Sequence, residues 1–123
     1  MAQGRLILVV DDQKGMRLLF EEVLIQFGYR VATVGSGEEA LIFVAETQPD
    51  LVLLDMRMPG LSGPETLLKL RAQHPTLPVI MVTADMDDAN WAKVEKLGVQ
   101  GKLHKPFDLN DLVSLVAEVL AQQ

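Results

Sequence analysis

The chain contains no cysteine, which removes disulfides, thiolate catalysis and cysteine-ligated zinc together and agrees with a reducing compartment. It also has no excess of positive charge: 11 Lys and Arg stand against 17 Asp and Glu, for a formal net charge of -6. Nucleic acid and anionic membranes would not find the basic footprint they need. Long hydrophobic runs are missing as well. The longest, Ala40 to Ala45, is far too short to span a bilayer, and Leu6 to Val10 ends in two aspartates where a signal peptide would need a cleavage site. A soluble cytoplasmic protein is expected.

What is present is enough apolar material for a core. About half of the 123 residues are hydrophobic, which suits one compact domain over residues 1–123. Five short runs read as strands: Leu6 to Val10, Arg30 to Val34, Leu51 to Leu54, Val79 to Val82, and the weaker Gly101 to His104. Between them the spacing turns helical. Met16, Leu19, Phe20, Val23 and Phe27 fall on one face of a first helix that stops at Gly28. Ser36 and Glu39 form an S-x-x-E capping box for a second, with Leu41 and Val44 inward. Pro64 suits the first turn of a third helix, which carries Leu67, Leu68 and Leu70 and ends before Pro75. A fourth runs from about Asp88 to Leu97, closed by Gly98. The fifth starts at Asp108 as N-cap, with Phe107 and Leu112 placed as a hydrophobic staple, and continues through Leu115, Val116, Val119 and Leu120.

The alternation is (βα)5, and near-continuous apolar strands of this kind argue for an α/β protein: a doubly wound, parallel five-stranded sheet with helices on both faces. Strand order 2-1-3-4-5 is the common solution at this size. Such sheets bind ligands outside the carboxyl ends of the strands, at the switch point between strands one and three. The runs bordering that crevice end in Asp11-Asp12, Asp55, Thr83-Ala84 and Lys105-Pro106. Three carboxylates gathered without a counter-charge would repel one another, so the cluster needs a cation. Oxygen ligands select a hard ion, and an open site that keeps several waters suits Mg²⁺. Lys105 adds a fixed positive charge and Thr83 a hydroxyl donor. Together these are the parts of a phosphoryl-transfer site with a carboxylate nucleophile.

The run Leu6-Ile7-Leu8-Val9-Val10-Asp11-Asp12, the loop Leu53-Leu54-Asp55-Met56-Arg57-Met58-Pro59-Gly60, Val82-Thr83-Ala84 and Lys105-Pro106-Phe107 resemble the response-regulator receiver family, over essentially the whole chain. The resemblance implies a flavodoxin-like fold and a signalling module rather than an enzyme. Asp55 would be the phosphoacceptor, and Thr83 and Lys105 would contact the phosphoryl group. It further implies that Asp11, Asp12, Asp55 and the backbone carbonyl of Arg57 hold Mg²⁺, with a histidine kinase and a histidine phosphotransferase as partners. Asp12-Gln13, Gly15, Leu54-Asp55-Met56 and Lys105-Pro106-Phe107-Asp108 are similar to single-domain regulators of sporulation phosphorelays. A monomer is expected, with dimerisation on phosphorylation left open. A stand-alone regulator that binds a target when phosphorylated is the alternative role. A Mg²⁺-dependent phosphatase also uses an aspartyl nucleophile, but it wants a second carboxylate two residues on, where Arg57 stands.

Other features read differently. Lys102 stands where many receivers carry an aromatic switch residue, so it is expected to be a solvated edge-strand lysine. Arg57 and Asp85 are expected to pair across the mouth of the site. Gly35-Ser36-Gly37-Glu38-Glu39-Ala40 matches a dinucleotide fingerprint, but it follows strand two and places carboxylates where a pyrophosphate would sit, so a capped turn is the better account. Neither His74 nor His104 has a second ligand at useful spacing. Leu18 and Ile25 lie off the core stripe of the first helix and should leave apolar surface near the Asp11 end, either as scattered surface leucines or as a docking face for a partner helix. Trp91, the only tryptophan, should pack partly against the core.

Overall fold

The structure, a computed structural model, describes residues 4–84 and 88–123, without the side chains of residues 88 and 89. Strands β1 (Leu6–Val10), β2 (Arg30–Val34), β3 (Leu51–Asp55), β4 (Val79–Thr83) and β5 (Gly101–His104) alternate with helices α1 (Lys14–Gln26), α2 (Gly37–Glu46), α3 (Gly63–Gln73), α4 (Asp88–Leu97) and α5 (Leu109–Ala121). All strand pairs are parallel, in the order β2-β1-β3-β4-β5. The expected α/β architecture is therefore the observed one.

Burial follows position in the sheet. Central β3 and β4 are buried at every residue, while edge strands β2 and β5 are mostly not. That difference is what allows β3 and β4 to be apolar up to their last residues, Asp55 and Thr83, and lets the edge strands carry polar residues along their length. Alternating side chains divide the interior into two cores. Ile7, Val9, Leu51, Leu53, Ile80 and Val82 pack with Phe20 and Leu24 of α1 and Leu112 and Val116 of α5. Leu8, Val10, Val52, Leu54, Val79 and Met81 pack on the other face with Ala40, Val44, Leu67, Leu70 and Val94 of the three remaining helices.

The face of α1 differs from the expectation, and α3 buries only part of its leucine run. In α1, Phe20 and Leu24 are the buried residues, Met16 and Val23 flank them, and Leu19 and Phe27 are 37% and 53% exposed. The helix carries apolar residues on several sides, so spacing alone admits more than one stripe. In α3, Leu67 and Leu70 are buried but Leu68 points outward. Leu18 and Ile25 are exposed as expected, and Trp91 packs partly buried against the second core.

The caps also shift. Ser36 accepts from the Glu39 N–H at 3.1 Å, but the Glu39 carboxylate meets the Ser36 hydroxyl at 3.2 Å, so the reciprocal arm to the backbone is not made. The box with both arms opens α3, where Ser62 accepts from Glu65 and donates its own N–H back at 3.0 Å. Gly28 and Gly98 close α1 and α4 with positive φ, at the positions anticipated. Gly37, within the fingerprint-like run, is a packing residue: a side chain there would strike Thr66 of α3.

Candidate functional site

The strand register assembles the site. Val10 pairs with Leu54 and Asp55 with Val82, so the residue after β1 and the last residue of β3 arrive level at the carboxyl edge. Thr83 pairs with His104, and the Lys105 N–H donates to the Thr83 carbonyl at 2.7 Å, which fixes the lysine just beyond β5. Asp11, Asp55 and Thr83 are buried, Asp12 is exposed and Lys105 is half-buried. Asp11, Asp12 and Asp55 each offer an oxygen within 4.8 Å of the others. Lys105 Nζ stands 3.6 Å from Asp11 Oδ2 and 3.7 Å from Asp55 Oδ1. Residues from four separate loops and strand ends thus meet where the topology places a ligand site.

The carboxylates are poorly satisfied by the protein. Burial pushes the Asp55 carboxyl up to about 6; the Asp11 charge adds to this, Lys105 and the Arg57 backbone N–H oppose it, and Asp12 raises it slightly. Asp11 Oδ1 accepts from the Gln13 N–H at 2.9 Å, while Asp11 Oδ2 is buried without a hydrogen-bond donor. One ammonium group between two carboxylates leaves negative charge over. An orphaned buried oxygen within an all-oxygen donor set fits a hard cation.

Two contributors carried no motif. The Arg17 guanidinium reaches back from α1 and donates to the Asp11 carbonyl at 2.7 Å, holding the turn that presents the acid pair. Gly63 lies against the end of β3: a Cβ there would meet the Asp55 carbonyl and stand 2.8 Å from Met56 Cα, and the Gly63 N–H donates to the Met56 carbonyl at 3.1 Å. An arginine five residues past the acid pair and a glycine before Pro64 were the only available signals. Of the remaining expectations, Asp85 lies outside the described residues, so its pairing with Arg57 does too. Lys102 is exposed, but its Nζ sits over the Trp91 ring at 4.6 Å from the centroid, so it is held by α4 rather than simply solvated. His104 is exposed and His74 caps the end of α3. No described helix is long and apolar enough to cross a membrane.

Five parallel strands in this order, with an acid triad and a lysine at the carboxyl edge, are the architecture of a response regulator receiver domain. The sequence model of that family matches residues 7–117, and the chain belongs to it. Among its relatives, sporulation initiation phosphotransferase F of Bacillus subtilis is 37% identical over 114 residues, covering 93% of this chain and 92% of that protein. The DNA-binding transcriptional regulator NtrC of Salmonella typhimurium is 35% identical over 119 residues, covering 97% of this chain; the match spans only 25% of NtrC. Among solved structures, a CheY-like receiver domain protein of Methanospirillum hungatei superposes with a TM-score of 0.94 at 27% identity, covering 98% of this chain and 96% of that one. Chemotaxis protein CheY4 of Vibrio cholerae gives 0.88 at 28% identity, covering 94% and 98%.

Proposed function

We propose that the chain acts as one receiver domain that accepts a phosphoryl group on Asp55 from a phosphohistidine protein and passes it to a histidine phosphotransferase. The observation that carries this reading is Lys105 Nζ held within 3.7 Å of both Asp11 and Asp55, inside a three-carboxylate cluster. An oxygen of ionised Asp55 attacks phosphorus, the bond from phosphorus to the donor histidine nitrogen breaks, and the electron pair leaves with the imidazole. With its carboxyl at about 6, Asp55 is mostly ionised at neutral pH and competent as the nucleophile. Asp11, Asp12, Asp55 and the Arg57 carbonyl would hold Mg²⁺, which when bound neutralises charge on the transferred oxygens. Lys105 holds the acceptor carboxylate in place and faces the charge that develops on the phosphoryl group. Thr83, at the end of the neighbouring strand, supplies a hydroxyl to the same oxygens.

The relay role draws support from the Bacillus subtilis relative, a phosphotransferase by name that this chain matches along nearly its full length. A cytoplasmic location follows from that role. The test is incubation with acetyl phosphate and Mg²⁺, followed by intact mass measurement of the chain and its Asp55→Asn variant. One phosphoryl adduct is expected in the wild type and none in the variant; an adduct that persists in Asp55→Asn would refute the assignment. Mixing the phosphorylated chain with a histidine phosphotransferase should move the label to that protein. Label retained on this chain would argue for a regulator that binds a target instead.

A further inference from the structure

On the face away from α1 and α5, helices α3 and α4 leave an open groove of about 560 Å³ between them. Pro64 and Leu68 of α3 and Leu97 of α4 give it an apolar floor. Leu68 is 57% exposed, although the residues before it and two after it are buried, so the helix directs a leucine at this groove and away from the core. The groove's size is that of a ligand pocket, and it can take two or three apolar side chains laid between helices.

Charge says what kind of segment fits. Among the described residues, three charged ones line the groove: Glu65, Lys93 and Lys96. Glu65 is already engaged, since its carboxylate accepts the Ser62 N–H at 3.0 Å in the capping box. Lys93 and Lys96 are exposed, three residues apart and so on one side of α4, and they form no ion pair or hydrogen bond among the described residues. Two unengaged ammonium groups beside an apolar floor stand out on a chain of net charge -6. The general charge repels acidic partners, so an acidic segment gains here only by local fit, which favours specificity.

We propose that the α3–α4 groove docks an acidic amphipathic helical segment of a partner protein, with its apolar side chains over Pro64, Leu68 and Leu97 and its carboxylates facing Lys93 and Lys96. This site goes beyond the phosphoacceptor reading and does not depend on it. The probe is a pair of synthetic amphipathic helical peptides with identical leucines, one with Glu and one with Lys along the polar face, titrated into the isotope-labelled full chain and followed by NMR. The Glu peptide should bind about tenfold more tightly than the Lys peptide, as two partly exposed ion pairs allow, with shifts confined to α3 and α4. The double variant Lys93→Glu/Lys96→Glu should invert that preference, and Leu68→Asp should weaken both peptides at an unchanged melting temperature. Equal affinity for the two peptides, shifts centred on α1 or α5, or a preference that survives the double charge reversal would overturn the proposal. So would self-association of the chain that Leu68→Asp abolishes, because the groove would then belong to a second copy.

Discussion

Both ends of the parallel sheet press charged side chains against the strands, and they satisfy them in different ways. At the amino end, Asp50 accepts the Leu6 N–H at 2.7 Å. Arg71 donates to the carbonyls of Gly98, His74 and Leu77 at 2.7 to 3.1 Å and reaches the Gln100 side-chain oxygen at 3.3 Å, while that oxygen also takes the Val79 N–H. Burial lowers the Arg71 pKa, yet this charge is surrounded by acceptors and ties the loops before β4 and β5 together. At the carboxyl end, Asp11 Oδ2 has no donor and the Asp55 carboxyl is pushed up to about 6. One end is closed by the protein's own hydrogen bonds. The other keeps unmet negative charge, which is where a cation and a phosphoryl group can be used.

The largest effect is expected for Gly63→Ala, because the added methyl meets backbone of β3 rather than a flexible side chain. It should cost about 3 kcal/mol in urea unfolding and sharply reduce phosphorylation; an unperturbed variant would show that α3 is not pressed against the end of β3. Next, Arg71→Met should cost about 2–3 kcal/mol by leaving several carbonyls short of a donor, while Mg²⁺ affinity from calorimetry stays at the wild-type value. A change in Mg²⁺ binding there would mean the two ends are not separable.

Asp55→Asn should act in the opposite direction. The Asp55 carboxyl rises from 3.8 to about 6 on folding, so the folded state holds its proton more tightly than the unfolded one. That contribution to stability is full below about pH 4 and is lost as pH rises through about 6. At pH 7 without divalent cations, removing the charge should therefore stabilise the chain by about 1–2 kcal/mol, the full shift being reduced because the pocket opens to solvent. The gain should disappear on acidification to pH 4, which melting curves across that range would follow. The smallest effect belongs to Arg17→Met: Mg²⁺ affinity several-fold weaker, on the order of 1 kcal/mol, with little change in melting temperature. Loss of stability without loss of affinity would make Arg17 merely a helix anchor.

Much of this organisation was legible in the sequence, for identifiable reasons. β3 and β4 were readable because strands buried on both faces must be apolar until their ends, and Asp11, Asp55 and Thr83 were readable because each closes or follows such a run, whereas Lys105 follows the weak edge strand β5 and was readable through the Lys105-Pro106-Phe107 motif. Receiver-family motifs then joined them. The faces of α1 and α3 were less readable because Leu19, Phe27 and Leu68 are as apolar as their buried neighbours, and only tertiary packing selects Leu24 and Leu70. Arg17, Gly63 and Arg71 share a reason for carrying no signal in the sequence: each acts on backbone carbonyls, and a carbonyl leaves no residue-type signature. Lys102 was read as solvated because its partner, Trp91, lies on another element.

Whether the carboxyl end carries charge that the protein leaves for a cation can be read from a carbon-13 NMR titration of the Asp55 side-chain carboxyl in metal-free buffer. A midpoint near 6 that moves down when Mg²⁺ is added is the predicted result. A midpoint in the ordinary aspartate range, unmoved by Mg²⁺, would contradict it.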